Sequence, residues 1–298
     1  MHLPRHHRAT MGVRAAWIRR AICLALVVAW GPVAMVTGCS SAEVEKKKQH
    51  DKADFHYKLA LGYFQARNID LSIRELIQSF EYQHDYADSR YLYGFILFGR
   101  KQYEEAAENL RAALVAKPRF FAARNHLGVT YLALERWQEA VEILMPLLKE
   151  PTYTTPYLAH NNIGWAHLKH GDLRKAERHL RMSVFINAKF CQGHRNLGLL
   201  AVEQRDLSAA VAHMQEAIVR CPKVAEFHFQ LGEVLSASGL ATRAEAAFEQ
   251  CRKLARETVL GRRCSARLSG PAPPTLPSGT RVPRAPFDQG DGNGTNSP

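Results

Sequence analysis

The chain has 298 residues, 46% hydrophobic and 23% charged, a composition that supports a water-soluble body. Its formal charge of +12 is partly an N-terminal effect: the first 38 residues hold Arg5, Arg8, Arg14, Arg19 and Arg20 and no acid, leaving +7 on the rest of the chain. No basic stripe interleaved with aromatics remains, which argues against nucleic-acid reading and leaves attraction to anionic lipid or glycan open.

The N-terminal stretch reads as an export signal. Arg14, Arg19 and Arg20 precede an apolar run from Ala21 to Met35, too short for a comfortable membrane span, and the run ends in the small residues Thr37 and Gly38 before Cys39. The VTGC ending resembles the lipobox of bacterial lipoproteins. That resemblance implies diacylation of the Cys39 thiol, cleavage after Gly38 and acylation of the new amino terminus, so that residues 1–38 are a signal peptide and Cys39 is an attachment point. Ser40 stands where an aspartate would retain a lipoprotein at the inner membrane, which implies the periplasmic face of the outer membrane. Met11 is a second candidate start. Residues 39–52, with the charged stretch AEVEKKKQHDK, read as a tether.

A repeat begins at residue 53. Small residues recur at Ala60, Gly94, Gly128, Gly164, Gly198 and Gly232, and twelve positions later at Ser72, Ala106, Ala140, Ala176, Ala210 and Ala244. The step is 34 residues four times and 36 once, the extra pair lying in KEPTYTTP with Pro151 and Pro156. Large apolar residues precede the first site (Leu59, Tyr93, Leu127, Ile163, Leu197, Leu231) and follow the second (Leu76, Leu110, Leu144, Leu180, Met214, Phe248). Two antiparallel helices approach closely where side chains are small, while bulky neighbours fill the space to the next pair. These positions resemble the tetratricopeptide repeat. The resemblance implies an all-α, right-handed superhelix of six repeats at 53–86, 87–120, 121–156, 157–190, 191–224 and 225–258. Beyond them, VLGRRCSARL looks like an incomplete cap, and the Pro- and Gly-rich stretch after it is too poor in apolar residues to build a core, so 259–298 reads as short cap and disordered tail.

Catalysis finds no motif: there is no Gly-rich phosphate loop, no H-E-x-x-H, no C-x-x-C and no nucleophile with a recognisable base, so no enzyme activity and no cofactor are expected. His160, His167 and His170 share one expected helix but lack a thiol or acid at ligand spacing, and no metal site is expected. Cys191 opens the first helix of repeat five and Cys221 closes its second, which would bring both to one end in an oxidising compartment. Cys221 with Cys251, or buried free thiols, are the alternatives, and Cys264 is the remaining cysteine.

In the tetratricopeptide repeat the first helix of each pair lines a groove. Its inward positions here are Tyr91, Phe95 and Phe98; Asn125, Val129 and Leu132; Asn161, Trp165 and Leu168; Arg195, Leu199 and Val202, each triplet at i, i+4, i+7, with Tyr57, Leu61 and Phe64 in the first repeat. The carboxylate clamp of chaperone-binding repeat proteins is missing, since Val129, Trp165 and Leu199 stand where its asparagines would. An apolar, aromatic groove suits an extended or amphipathic partner segment. Lipobox, tether and six repeats together resemble the pilotin family of lipoproteins that assemble the type IV pilus secretin. That resemblance implies binding of secretin subunits, their delivery to the outer membrane and their multimerisation. A lipoprotein scaffold for cell-wall enzymes or outer-membrane protein assembly would use the same parts.

Overall fold

A computed structural model describes the backbone of residues 33–270, with side chains from residue 41 onward. The signal-peptide reading, the Cys39 thiol and the expected disorder of the tail beyond residue 270 lie outside the described residues. Among those described there are thirteen α-helices and no strand, and no helix is long and apolar enough to cross a membrane. The fold is an all-helical tetratricopeptide-repeat array, and the chain divides into two compact units, Met1–Tyr86 and Ala87–Pro298.

The first unit is a hairpin of α1 (Val33–Gln65) and α2 (Ile69–Tyr82). Residues 42–52 are helical and continuous with the first repeat helix, giving α1 a length of about 50 Å at 1.5 Å per residue. The physical reason is that EKKKQHDK contains no glycine or proline and its last turn finds partners: Lys52 lies 4.8 Å from the Tyr82 ring centre and His50 packs edge-on to Tyr86 at 5.3 Å. Asn68 caps α2, its Oδ1 accepting from the Leu71 N–H at 3.2 Å. Two buried serines on α2 then tie the hairpin together, Ser72 Oγ donating to the Ala60 carbonyl and Ser79 Oγ to that of Ala53, both at 2.9 Å.

The second unit contains five more hairpins: α3 (Ala87–Gly99) with α4 (Tyr103–Ala116), α5 (Phe121–Ala133) with α6 (Trp137–Leu144), α7 (Pro156–His170) with α8 (Leu173–Ile186), α9 (Cys191–Glu203) with α10 (Leu207–Arg220), and α11 (Ala225–Ala237) with α12 (Ala241–Leu254). Within each hairpin the glycine of the first helix receives the bulky residue of the second. A Cβ on Gly164 would sit 2.7 Å from Leu180 Cγ, and one on Gly94 only 2.9 Å from Leu110 Cγ and 3.1 Å from the Ala106 carbonyl oxygen. That is well inside the 3.5–4.0 Å of a relaxed carbon contact, so only glycine fits without moving a helix. Each first helix from α5 onward also packs on the second helix of the preceding hairpin.

Every hairpin turns through one residue with positive φ: Arg67, Lys101, Glu135, Gly171, Arg205 and Gly239. The turn is closed by backbone bonds such as Gln102 N–H to the Leu97 carbonyl at 3.0 Å, the pattern that ends a helix in a left-handed residue. In KEPTYTTP the lengthening has a local cause. Pro146 has no N–H to donate, α6 stops after eight residues, the chain tightens into a 3-10 turn over Met145–Lys149, and Pro156 opens α7 in its first turn.

The C-terminal end departs from the expected incomplete cap. Residues Val259–Ser269 form α13, capped by Thr258, whose Oγ1 accepts from the Gly261 N–H at 3.1 Å. The helix lies on α12, Cys264 pairs with Cys251, Arg263 covers the Phe229 ring at 4.3 Å, and Arg267 reaches Glu233 at 2.8 Å. Three arginines in VLGRRCSARLS, Arg262, Arg263 and Arg267, hide an apolar i, i+4, i+8 pattern at Leu260, Cys264 and Leu268. Cys191 is bridged to Cys221, with Cα atoms 6.0 Å apart, so the competing pair of Cys221 with Cys251 is not formed.

Candidate partner-binding site

The inward positions of the first helices do not form an open aromatic groove. Tyr91, Val129, Leu132, Asn161, Trp165, Leu168 and Leu199 are buried, while Phe95, Phe98, Asn125, Arg195 and Val202, and in the first unit Tyr57, Leu61 and Phe64, keep partial exposure. Trp165, placed in the groove by its register, is 6% exposed: the Lys169 ammonium lies 4.4 Å and the Arg195 guanidinium 5.2 Å from its ring centre.

Two kinds of contact close this face. The first is a side-chain ladder that crosses from hairpin to hairpin. Asn162 Nδ2 donates to Asn125 Oδ1 at 3.2 Å, Asn161 Nδ2 to Asn162 Oδ1 at 3.2 Å, and Asn196 Nδ2 to Asn161 Oδ1 at 2.8 Å. Arg195 then donates through Nη1 to Asn196 Oδ1 and through Nε to Gln230 Oε1, both at 2.9 Å. Loss of water around Arg195 pulls its pKa down to about 10, so it stays charged at neutral pH. The second is an aromatic cluster in which His126 stacks on Tyr91 at 5.4 Å and meets Phe95 at 5.0 Å, while Tyr91 touches Phe120 at 4.8 Å. His126 Nδ1 is shut from solvent without a hydrogen-bond partner, and burial pushes its pKa down to about 4.

The histidines of α7 share one helix but point to different surroundings. His170 is exposed at the helix end, whereas His160 and His167 face His179 of α8, with His160 Nδ1 3.1 Å from His179 Nδ1. Burial lowers the pKa of all three, to about 4 for His179. No group of three or more His, Cys, Asp or Glu able to hold a metal ion occurs among the described residues. The signal for His179 was present as a spacing. His56 with Glu75, Arg90 with Asn109 and His160 with His179 are all nineteen residues apart and all bonded across their hairpins.

The accessible apolar face lies on α1. In the second unit, first-helix residues five before, one before and two after the small site meet the preceding second helix and are buried: Ala123, Leu127 and Thr130 on α5, Ala159, Ile163 and Ala166 on α7, Gly193, Leu197 and Leu200 on α9, Phe227, Leu231 and Val234 on α11. A Cβ on Gly193, for instance, would sit 2.8 Å from Val184 of α8. The same register on α1 gives Phe55, Leu59 and Gly62. Phe55 is 58% and Leu59 38% exposed, and a Cβ on Gly62 would meet nothing within 4 Å. An open cleft continues along the helix, lined by Val44, Lys47, Lys48, Asp51, Lys52 and Phe55. This face has the geometry that receives a helix elsewhere in the array, rimmed by lysines.

Residues 97–152 match one tetratricopeptide-repeat family model, and residues 57–119 and 195–255 match a second; together they span more than half of the chain. No curated protein sequence matches. Among solved structures the chain is similar to PilW, described as a widely conserved type IV pilus biogenesis factor, with a TM-score of 0.64 and 21% identity over 71% of this chain and 97% of that one. It is similar to pilF of Pseudomonas aeruginosa with a TM-score of 0.59 and 17% identity, over 74% and 99% of the two chains. The repeat protein TTC0263 of Thermus thermophilus gives 0.55 and 20%, over 61% and 98%. At these identities the likeness is one of fold.

Proposed function

Starting from a chain that belongs to the tetratricopeptide-repeat proteins, we propose that it works as an outer-membrane lipoprotein that binds secretin subunits and promotes their targeting and multimerisation in type IV pilus biogenesis. The VTGC sequence ahead of Ser40, the order of anchor, charged segment and repeats, and the shared fold with PilW and pilF over nearly their full lengths support this reading. The observation that carries the binding role is the uncovered face of α1. A first helix whose Phe55, Leu59 and Gly62 stand in the register of a helix–helix contact, yet have no helix on them among the described residues, is suited to a partner's amphipathic helix. Lys47, Lys48 and Lys52 beside the cleft favour acidic residues on that helix.

The test replaces Phe55 and Leu59 with aspartate. Both are exposed, so the melting curve should hold while heat-resistant secretin multimers and surface pili are lost, as in a deletion strain. Normal multimers in a deletion strain would refute the secretin role itself. Normal multimers in the double variant alone would move binding off α1.

A further inference from the structure

A second exposed surface, rich in arginine, lies in the other unit. On α8, Arg174, Lys175, Arg178 and Arg181 project into solvent, followed by Met182 and Phe185, with Phe185 83% exposed. Positions 174, 178, 181 and 185 follow one another at helical spacing, so cations and apolar side chains share one stripe. Lys175 is paired with Asp172 at 2.9 Å and Arg181 with Glu177 at 2.8 Å, whereas no ion pair is formed by Arg174 or Arg178 among the described residues. Glu177 is the single acid of the helix. Among the other second helices α2, α4 and α6 carry more acids than bases and α10 has one of each, while α12 has three bases to two acids but pairs Arg252 and Lys253 with Glu249. At the position equivalent to Phe185 on the next second helix, Val219 is 72% exposed, and its neighbour Arg220 donates to the Ala188 carbonyl just beyond the end of α8.

We propose that this face of α8 lies against an anionic lipid surface, with Phe185, Met182 and Val219 entering the headgroup region and Arg174 and Arg178 binding lipid phosphates. A helix that keeps its packed side in the protein core and offers arginines and an aromatic on the other has the make-up of an interfacial membrane helix. The two unpaired arginines supply the charge complementarity. The phosphates of an anionic lipid surface give each guanidinium the partner that the protein does not. The inference does not depend on the secretin reading.

The experiment uses the full chain carrying Phe185→Trp, reconstituted into vesicles with brominated acyl chains, and compares its tryptophan emission with that of the parent chain. The added indole should be quenched in phosphatidylcholine vesicles containing phosphatidylglycerol, and only weakly in phosphatidylcholine alone. Arg174→Glu with Arg178→Glu should weaken that local association by at least about tenfold, given about 1 kcal/mol per basic residue at an anionic surface. An indole unquenched in both lipids would overturn the proposal, as would quenching that ignores both the lipid charge and the double substitution. Loss of secretin multimers in the double variant without any quenching in the first would assign the face to an acidic protein partner and overturn it equally. Circular dichroism melts of each variant confirm that a surface change has been made on a folded chain.

Discussion

Replacing Gly164 with alanine adds one carbon where α7 meets α8, and the structure says what it must push. The new Cβ would lie 2.7 Å from Leu180 Cγ, 2.8 Å from its Cδ2 and 3.1 Å from its backbone nitrogen. The leucine side chain can swing, but it is fully buried, and the backbone nitrogen moves only with the helix. Relief to a normal contact therefore needs the helices to part by something under 1 Å, an overpacking cost of about 1–3 kcal/mol. Against this, alanine is favoured over glycine inside a helix by about 1 kcal/mol. The control is Gly62→Ala on α1, where the added carbon meets nothing and only the propensity gain applies. Urea or thermal melts of both variants should therefore diverge, Gly62→Ala becoming slightly more stable and Gly164→Ala less stable than the parent, with about 1–3 kcal/mol between them. Equal stabilisation in both would refute the close approach at the glycine register and with it the packing common to every hairpin.

Three further outcomes follow from the same structure and sequence. Cys39→Ala should leave the repeats folded but release the chain from the outer-membrane fraction in detergent partitioning; undiminished membrane association would dismiss the lipobox. Arg205 holds a positive φ that glycine adopts without strain, so Arg205→Gly should raise stability by about 1 kcal/mol in thermal melts, and a drop would mean that its side chain matters more than its backbone. His126 has its pKa pushed down to about 4 by burial, below its ordinary unfolded value, so the unfolded chain takes up the proton first on acidification. Its contribution is full above roughly pH 6.5 and lost as pH falls toward about 4, so His126→Phe should lessen the decline in stability between pH 7 and 5 by about 1–2 kcal/mol in melts at the two pH values, the share of His160, His167 and His179 remaining.

The architecture could be read from the chain because each repeat obeys one local rule: a glycine or alanine with a bulky residue sixteen further on to fill its space, as Leu180 fills Gly164. Periodicity of that kind survives in any window of the sequence. What the inner face does could not be read the same way. Asn125, Asn161 and Arg195 have the right register to point into a groove, but their fate depends on Asn162, Asn196 and Gln230 one position out of phase on the next helix, a cross-repeat match that no single repeat contains. Trp165 was covered for the same reason, by an arginine from the following hairpin. The α1 face was legible only by subtraction, as the contact surface of a first helix with no predecessor among the described residues. The last helix was hidden by its arginines, whose charges mask a short apolar pattern completed by Cys264.

The ladder from Asn125 to Gln230 also has a mechanical meaning. In a linear array each hairpin touches only its neighbours, and bending between two of them normally slides apolar surfaces past one another at little cost. Directional bonds at 2.8 to 3.2 Å do not slide: opening one step exposes a buried amide with no replacement partner. The hairpins from α5 to α12 are thereby laced along one edge like the spine of a book, able to transmit a pull from one end to the other as a single stiff body and ill suited to stretching around a guest.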